Sequence, residues 1–226
     1  MAKKLHTYIM KTCAIIPVYN EERHIKKVIE ITSKHIIDVL VIDDGSTDNT
    51  PNEIAKTPVR VFRHPKNLGK GEALKSAFKL TKDYEAIIII DGDCQHDPDE
   101  IPNFLKMVDH YDLIIGSREK RKSMPLINKI SNNFSTWIIS RLAHQKILDS
   151  QSGYRLMKRR LIDSLDLKTT RFETETEIII QAAKKGFKIG HLPIKTIYQT
   201  EKSHFHKTKD TLRFIKYFLK AIFIKS

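Results

Sequence analysis

Residues 86–96 read Ala-Ile-Ile-Ile-Ile-Asp-Gly-Asp-Cys-Gln-His, five apolar residues that run without a break into two carboxylates. Successive side chains of a strand point to opposite faces, so an unbroken apolar run predicts a strand covered on both sides, at the centre of a parallel sheet. Outward from it, Thr12–Val18, Val39–Asp43, Val59–Arg63 and Leu113–Gly116 share the β-branched character, and the run itself extends over Ala86–Asp91. Between these runs, apolar residues recur at helical spacing in Glu21–Ser33 (Ile25, Val28, Ile29), Lys70–Lys82 (Ala73, Leu74, Ala77, Phe78) and Pro98–His110 (Ile101, Phe104, Leu105, Val108). Asn20 with Glu21 and Glu22, the pair Gly69 and Gly71, and Asp97-Pro98 mark the helix starts. Strand–helix–strand alternation predicts an α/β fold, a Rossmann-like and mostly parallel sheet with helices on both faces.

Beyond Gly116 the pattern changes. Ser117–Asn133 is polar and basic and reads as a mobile loop leading into a helix over Leu126–Leu142. A further helix, about Glu173–Lys185, precedes two short strands, Phe187–Leu192 and Ile194–Tyr198, which are expected to pair as a β-ribbon. No linker or repeat interrupts the chain. The 226 residues therefore read as a single domain, with a nucleotide-binding half over 12–117, a covering half over 118–207 and a tail over 208–226.

Hydrophobic residues at 40% against 30% charged predict a folded chain rather than a disordered one. The two cysteines, Cys13 and Cys94, fall inside regular segments, which argues for a reducing compartment without disulfides. No signal-length apolar run follows the basic start, and no run approaches the ~20 residues that span a bilayer. A cytoplasmic protein is expected. The net charge is +13, and Lys184–Ser226 holds eleven Lys/Arg against Glu201 and Asp210. Such a tail suits an anionic partner. No nucleic-acid module or aromatic-basic platform accompanies it, so nucleic acid is set aside. In the tail, Leu212, Ile215, Leu219 and Ile222 form one helical stripe, and Lys209, Arg213, Lys216 and Lys220 another. That is the pattern of a basic helix lying on a membrane surface, peripheral rather than spanning.

Parallel sheets bind ligands outside the carboxyl ends of their strands. The polar clusters stand there: Pro17–Glu22, Asp43–Ser46, Asp91–His96 and Gly116–Arg118, with Asn67–Gly71 following the third strand at a distance. Two carboxylates two residues apart at the end of a buried strand, Asp91 and Asp93, are costly unless neutralised. With the amide of Gln95 they suit Mg²⁺ or Mn²⁺, which fill their remaining positions with water and phosphate oxygens. An aspartate-rich turn is the plain structural alternative. Asp43-Asp44 is an ordinary turn in most proteins, but at this point of a nucleotide fold an acidic side chain can take a base or ribose hydrogen bond. His64, His96 and His191 lack metal-ligand spacing, and core or solvated roles are expected for them.

In order and spacing the whole set resembles the family 2 glycosyltransferases of the GT-A fold, in the dolichyl-phosphate mannose synthase-like branch that makes polyprenyl-phosphate sugars. The carrying stretches are AIIPVYNEE (14–22), VIDDGSTDNT (41–50), NLGKGEAL (67–74), DGDCQHDPDEI (91–101), GSR (116–118), DSQSGYRL (149–156), RFETETE (171–177) and the closing PI…Y…EKSHF (193–205). The resemblance implies that Pro17, Tyr19, Glu21, Asp43 and Asp44 frame the base and ribose of a GDP- or UDP-linked sugar, with Lys70 and Gly92 also on the donor. It implies that Asp91, Asp93 and Gln95 hold the metal on the diphosphate. Ser117 and Arg118 would face the phosphate of a polyprenyl acceptor, with Arg155 and Lys202 on the same side, and Asp91, Asp93 and Arg118 would carry catalysis with inversion at the sugar carbon. Residues 118–207 would then be the acceptor-side half. Gly92 stands where the family usually has alanine, and Asn128 or Lys129 where arginine is common. A phosphate acceptor is already anionic and needs no base. A hydroxyl acceptor of a glycan or protein is the alternative, and it would require one. Glu175 is the candidate for that role, whereas Glu173 and Glu177 read as acids complementing a helix dipole.

Overall fold

The computed structural model describes residues 10–118 and 136–195, apart from 138 and 142. Seven strands form one sheet in these residues: β1 (Thr12–Val18), β2 (Val39–Asp43), β3 (Arg60–Arg63), β4 (Ala86–Ile89), β5 (Leu113–Arg118), β6 (Arg155–Lys158) and β7 (Ile189–Ile194). Their order is β3-β2-β1-β4-β6-β5-β7. All neighbours pair in parallel except β6, which is antiparallel to β4 and β5.

Alternation along the strands builds the two layers. Ile15, Leu40, Ile42, Ile87 and Ile89 point to one face, where α3 (Lys70–Leu80) brings Ala73, Leu74 and Ala77 and α6 (Glu173–Lys184) brings Ile178 and Ile179. Ala14, Ile16, Val41, Ile88 and Ile90 point to the other, against Ile25, Val28 and Ile29 of α1 (Ile25–His35) and Ile101 and Phe104 of α4 (Ile101–Met107). Each large aliphatic side chain buried there contributes about 1.5–3 kcal/mol. The expected sheet with helices on both faces is what these residues form.

Some expectations are corrected. The first helix begins at Ile25, not Glu21, because the polar stretch before it is tied sideways. Asn20 sits at φ 56° and accepts from Thr47 N at 2.8 Å, and Glu22 accepts from Asn49 N at 2.9 Å. The expected helix over Pro98–His110 divides into a 3₁₀ turn, Pro98–Glu100, and α4. Two short helices, α2 (Thr50–Ala55) and α5 (Arg159–Ser164), and the strand β6 had no counterpart in the sequence reading. Of the expected β-ribbon, the second strand, Ile194–Tyr198, lies mostly outside the described residues. Ile189–Ile194 is one strand running parallel to β5 through Pro193, which pairs in register with Ser117. An edge strand tolerates proline because the missing N–H can face away from the ladder.

The segments 119–135 and 196–226 lie outside the described residues. They include Asn128, Lys129 and Lys202, the polar loop, most of the helix expected over Leu126–Leu142, and the tail. No helix among the described residues is long and apolar enough to cross a membrane.

Candidate active site

The carboxyl ends of β1, β2, β4 and β5 lie along one edge of the sheet. Val18 pairs with Asp43, Ile15 with Ile89, and β5 ends on Ser117 and Arg118. Because β6 runs backwards between β4 and β5, with Ile89 opposite Arg155, the residues just before it reach the same edge. This reversal puts Gly153 against Asp91. A Cβ on Gly153 would stand 2.2 Å from Asp91 Oδ2 and 2.6 Å from Lys70 Nζ.

Asp91 is the hub of a buried charge network. Lys70, the first residue of α3, places its ammonium 2.5 Å from Asp91 Oδ1 and 2.6 Å from Glu175 Oε1. Burial works to lower the Lys70 pKa, but the two carboxylates outweigh it and hold it above the ordinary lysine value. Burial likewise works to raise Asp91, and Lys70 followed by His96 pulls it below the usual carboxylate range. Among the described residues Asp93 has no cation paired with it, and Lys70 acts on it only at a distance. Burial, then the Asp91 charge, pushes it up to about 6. His96 is buried with Nδ1 3.8 Å from Asp91 Oδ2, and burial lowers it to about 4. Its imidazole is therefore neutral near pH 7.

Among the described residues no group of three or more His, Cys, Asp or Glu side chains forms a metal cage. Asp91 and Asp93 are two carboxylates two residues apart, and burial together with the Asp91 charge disfavours ionisation of Asp93. They make a donor set that fits Mg²⁺ or Mn²⁺ completed by water and phosphate oxygens. Gln95 is exposed beside this pair, and its backbone N–H donates to Asp93 Oδ1 at 3.0 Å.

On the neighbouring strand, Arg118 is held by both oxygens of Asp149, Nε to Oδ2 at 2.6 Å and Nη2 to Oδ1 at 2.9 Å. Ser117 Oγ lies 3.0 Å from His191 Nδ1, while His191 Nε2 lies 3.1 Å from the Lys146 carbonyl. Burial lowers the His191 pKa. In the neutral ring Nε2 donates to that carbonyl, so Nδ1 accepts the Ser117 proton. Arg155 departs from the expected acceptor-side place. It is 1% exposed, and its guanidinium donates to the carbonyls of Ser150, Ser152 and Glu175. In this arrangement it positions the backbone of the site and is closed to an acceptor.

At the opposite end of the site, Pro17 is buried and Tyr19 and Glu21 are partly buried beside the end of β2, with Glu21 N donating to Thr50 Oγ1 at 2.8 Å. Asp43 accepts from Ser46 N at 2.9 Å and faces Arg63 Nε at 3.0 Å. Asp44 is buried and fully engaged. Oδ1 takes His64 Nδ1 at 2.7 Å and Leu68 N at 2.9 Å, and Oδ2 takes Gly69 N at 2.8 Å. Asp44 thus pins the turn that delivers Lys70. Gly92 packs on Val18, whose Cγ2 would be 3.1 Å from an added Cβ.

Over residues 13–166 the sequence matches the profile described as glycosyl transferase family 2. The chain belongs to that family. Among relatives of this glycosyltransferase is the UDP-N-acetylglucosamine–dolichyl-phosphate N-acetylglucosaminyltransferase of Methanococcus voltae, 34% identical over 93% of this chain and 94% of that one. Another is the dolichol-phosphate mannosyltransferase of Pyrococcus furiosus, 27% identical over 81% of this chain and 56% of that one. In fold, the glycosyltransferase matches glucosyl-3-phosphoglycerate synthase from Mycobacterium tuberculosis, crystallised with Mn²⁺, UDP and glucosyl-3-phosphoglycerate. That likeness has a TM-score of 0.80 at 19% identity and covers 96% of this chain and 81% of the other, which places the fold among the GT-A glycosyltransferases.

Several contacts of the glycosyltransferase site escaped sequence reasoning. Asp149 and Gly153 lie in the stretch DSQSGYRL, quoted for the resemblance, but nothing in one strand of sequence says that they meet Arg118 and Asp91. For His96 a core or a solvated role is expected, and it is buried, against Asp91.

Proposed function

We propose that this glycosyltransferase moves a sugar from a GDP- or UDP-linked donor to the phosphate of a polyprenyl phosphate, with a divalent cation at Asp91 and Asp93 and inversion at the sugar carbon. The observation that carries the choice of acceptor is the state of Glu175. The carboxylate best placed to act as a base is 5% exposed and paired with the Lys70 ammonium at 2.6 Å. A carboxylate turned to that ammonium is not free to meet a substrate hydroxyl, and a phosphate acceptor needs no base. The names of the Methanococcus voltae and Pyrococcus furiosus relatives support the same class of acceptor.

Each residue then has a task. Asp91 and Asp93 would hold the cation, which when bound offsets the charge that builds on the departing diphosphate. Lys70 adds a buried positive charge at the same point. Pro17, Tyr19, Glu21 and Asp43 border the base and ribose. Ser117 and Arg118 stand where the acceptor phosphate approaches, and Asp149 fixes the guanidinium so that little ordering is left for substrate binding. The basic tail, 208–226, brings the enzyme to the cytoplasmic face of a membrane where the lipid acceptor resides.

The test is transfer of radiolabelled sugar from UDP-N-acetylglucosamine, UDP-glucose and GDP-mannose to a polyprenyl phosphate in detergent, with Mn²⁺ or with chelator. Metal-dependent, organic-extractable product from one donor is expected, and the anomeric coupling constant of that product reports inversion. Transfer to hydroxyl acceptors alone would refute the lipid-phosphate reading, and full activity in chelator would refute the metal.

A further inference from the structure

We infer that Glu175 is a positioning residue that controls how far Asp91 is available to a divalent cation, and that it acts through Lys70. The inference rests on the proposed cation site at Asp91 and Asp93. One ammonium serves two carboxylates, at 2.5 Å and 2.6 Å, and the side chains of Lys70, Asp91 and Glu175 are only 14%, 21% and 7% exposed. An ammonium so close to Asp91 repels any second cation brought to the same carboxylate, and burial keeps that repulsion from being screened by solvent. Glu175 draws part of the ammonium's interaction away from Asp91. Without it, Lys70 would pair with Asp91 alone.

The backbone holds this balance in place. Gly69, at φ +99°, and Gly71 let α3 start flush against the approach to α6. An added Cβ on Gly71 would lie 2.2 Å from Thr174 Oγ1 and 2.5 Å from the Thr170 carbonyl carbon. From the other side, Arg155 Nη1 donates to the Glu175 carbonyl at 2.5 Å and fixes the first turn of α6. Lys70 and Glu175 are therefore presented to each other by two helix starts packed closely together. The donor diphosphate would bring its own negative charge to Lys70, so donor binding and cation binding would reinforce one another at this point.

The two partners consequently have opposite effects on cation affinity in the absence of nucleotide, which a merely structural role would not produce. Mn²⁺ binding to the full chain is measured by titration calorimetry and by the electron paramagnetic resonance of free Mn²⁺, without substrate. Glu175→Gln is expected to weaken Mn²⁺ binding by about tenfold, and Lys70→Met to tighten it by a similar factor while weakening UDP or GDP binding. Lys70→Arg keeps the charge and should not show the tightening. A shift of both Glu175→Gln and Lys70→Met in the same direction, with circular dichroism showing both folded, overturns the inference. If either variant fails to fold, the Lys70→Arg and Glu175→Asp pair decides. Each should stay within about threefold of wild type, and a tenfold loss in either overturns the proposal. Asp91→Asn separates this from the underlying reading. Mn²⁺ binding that survives Asp91→Asn unchanged refutes the cation site itself, whereas binding lost there but insensitive to Lys70 and Glu175 refutes only their coupling.

Discussion

Gly153 shows how much of this site is decided by single atoms. The space a methyl group would fill is already held by Asp91 Oδ2 and Lys70 Nζ, at 2.2 and 2.6 Å from the ideal Cβ. Gly153→Ala must therefore push the carboxylate or the ammonium off its place, and a displacement near 1 Å at a reacting centre costs about 100-fold in rate. Steady-state transfer assays should show that loss in kcat, with a melting temperature lowered by only a few degrees. Asp91→Asn and Asp93→Asn should each lower turnover about 100- to 1,000-fold, the range for removing one preorganised electrostatic stabiliser. Thermal melts would confirm that both variants remain folded. The carboxylates were legible in the sequence because DGD follows a run that reads as a buried strand. Gly153 was not, since its necessity comes from side chains that belong to other strands and helices.

At the scale of elements, the loop before α6 is held by one buried side chain. Glu177, 3% exposed, accepts from Lys168 N at 3.0 Å, Thr169 N at 2.9 Å and Thr169 Oγ1 at 2.6 Å. The sequence suggested a dipole-complementing acid, and the structure gives it a different task, gathering the donors of the loop. The adjoining Thr170 carbonyl accepts from Glu72 N at 3.3 Å and abuts Gly69 and Gly71 at the start of α3. Glu177→Ala would strand two backbone amides in a part-buried place, while the Thr169 hydroxyl keeps Thr174 Oγ1 at 2.8 Å. A loss of about 2–4 kcal/mol is expected in urea denaturation, since hydrogen bonds to a charged group contribute about 1.5–3 kcal/mol each but water can replace part of them. Turnover should fall as well, because the same loop seats Lys70. Long strands and amphipathic helices were readable because burial imposes period 2 or period 3.6 on the sequence. The six-residue α2 and α5 are under two turns, too short to show the helical period.

For the whole molecule, charge is unevenly placed. The described residues hold 27 Lys/Arg against 24 Asp/Glu, so ten of the thirteen excess positive charges lie in 1–9, 119–135 and 196–226. Co-sedimentation with anionic phospholipid vesicles is expected, and deletion of Thr211–Ser226 should abolish most of it. Binding should also weaken steeply between 0.05 and about 0.5 M salt as screening shortens the Debye length from over 10 Å towards a few ångström. Vesicle binding that survives both the deletion and the salt would assign the membrane contact to another surface. The sequence by itself determined the layered α/β fold, the carboxyl-end location of the site and the aspartate pair, because periodic burial and the polar residues that end each buried strand are written locally. Only the tertiary structure decided that β6 runs against its neighbours and carries Asp149 and Gly153 to Arg118 and Asp91. It also decided that Lys70 is shared with Glu175, that Arg155 turns inward, and that Asp44 holds a turn. Each of these depends on which charges meet when distant segments are packed together, and the balance of burial against pairing exists only once they do.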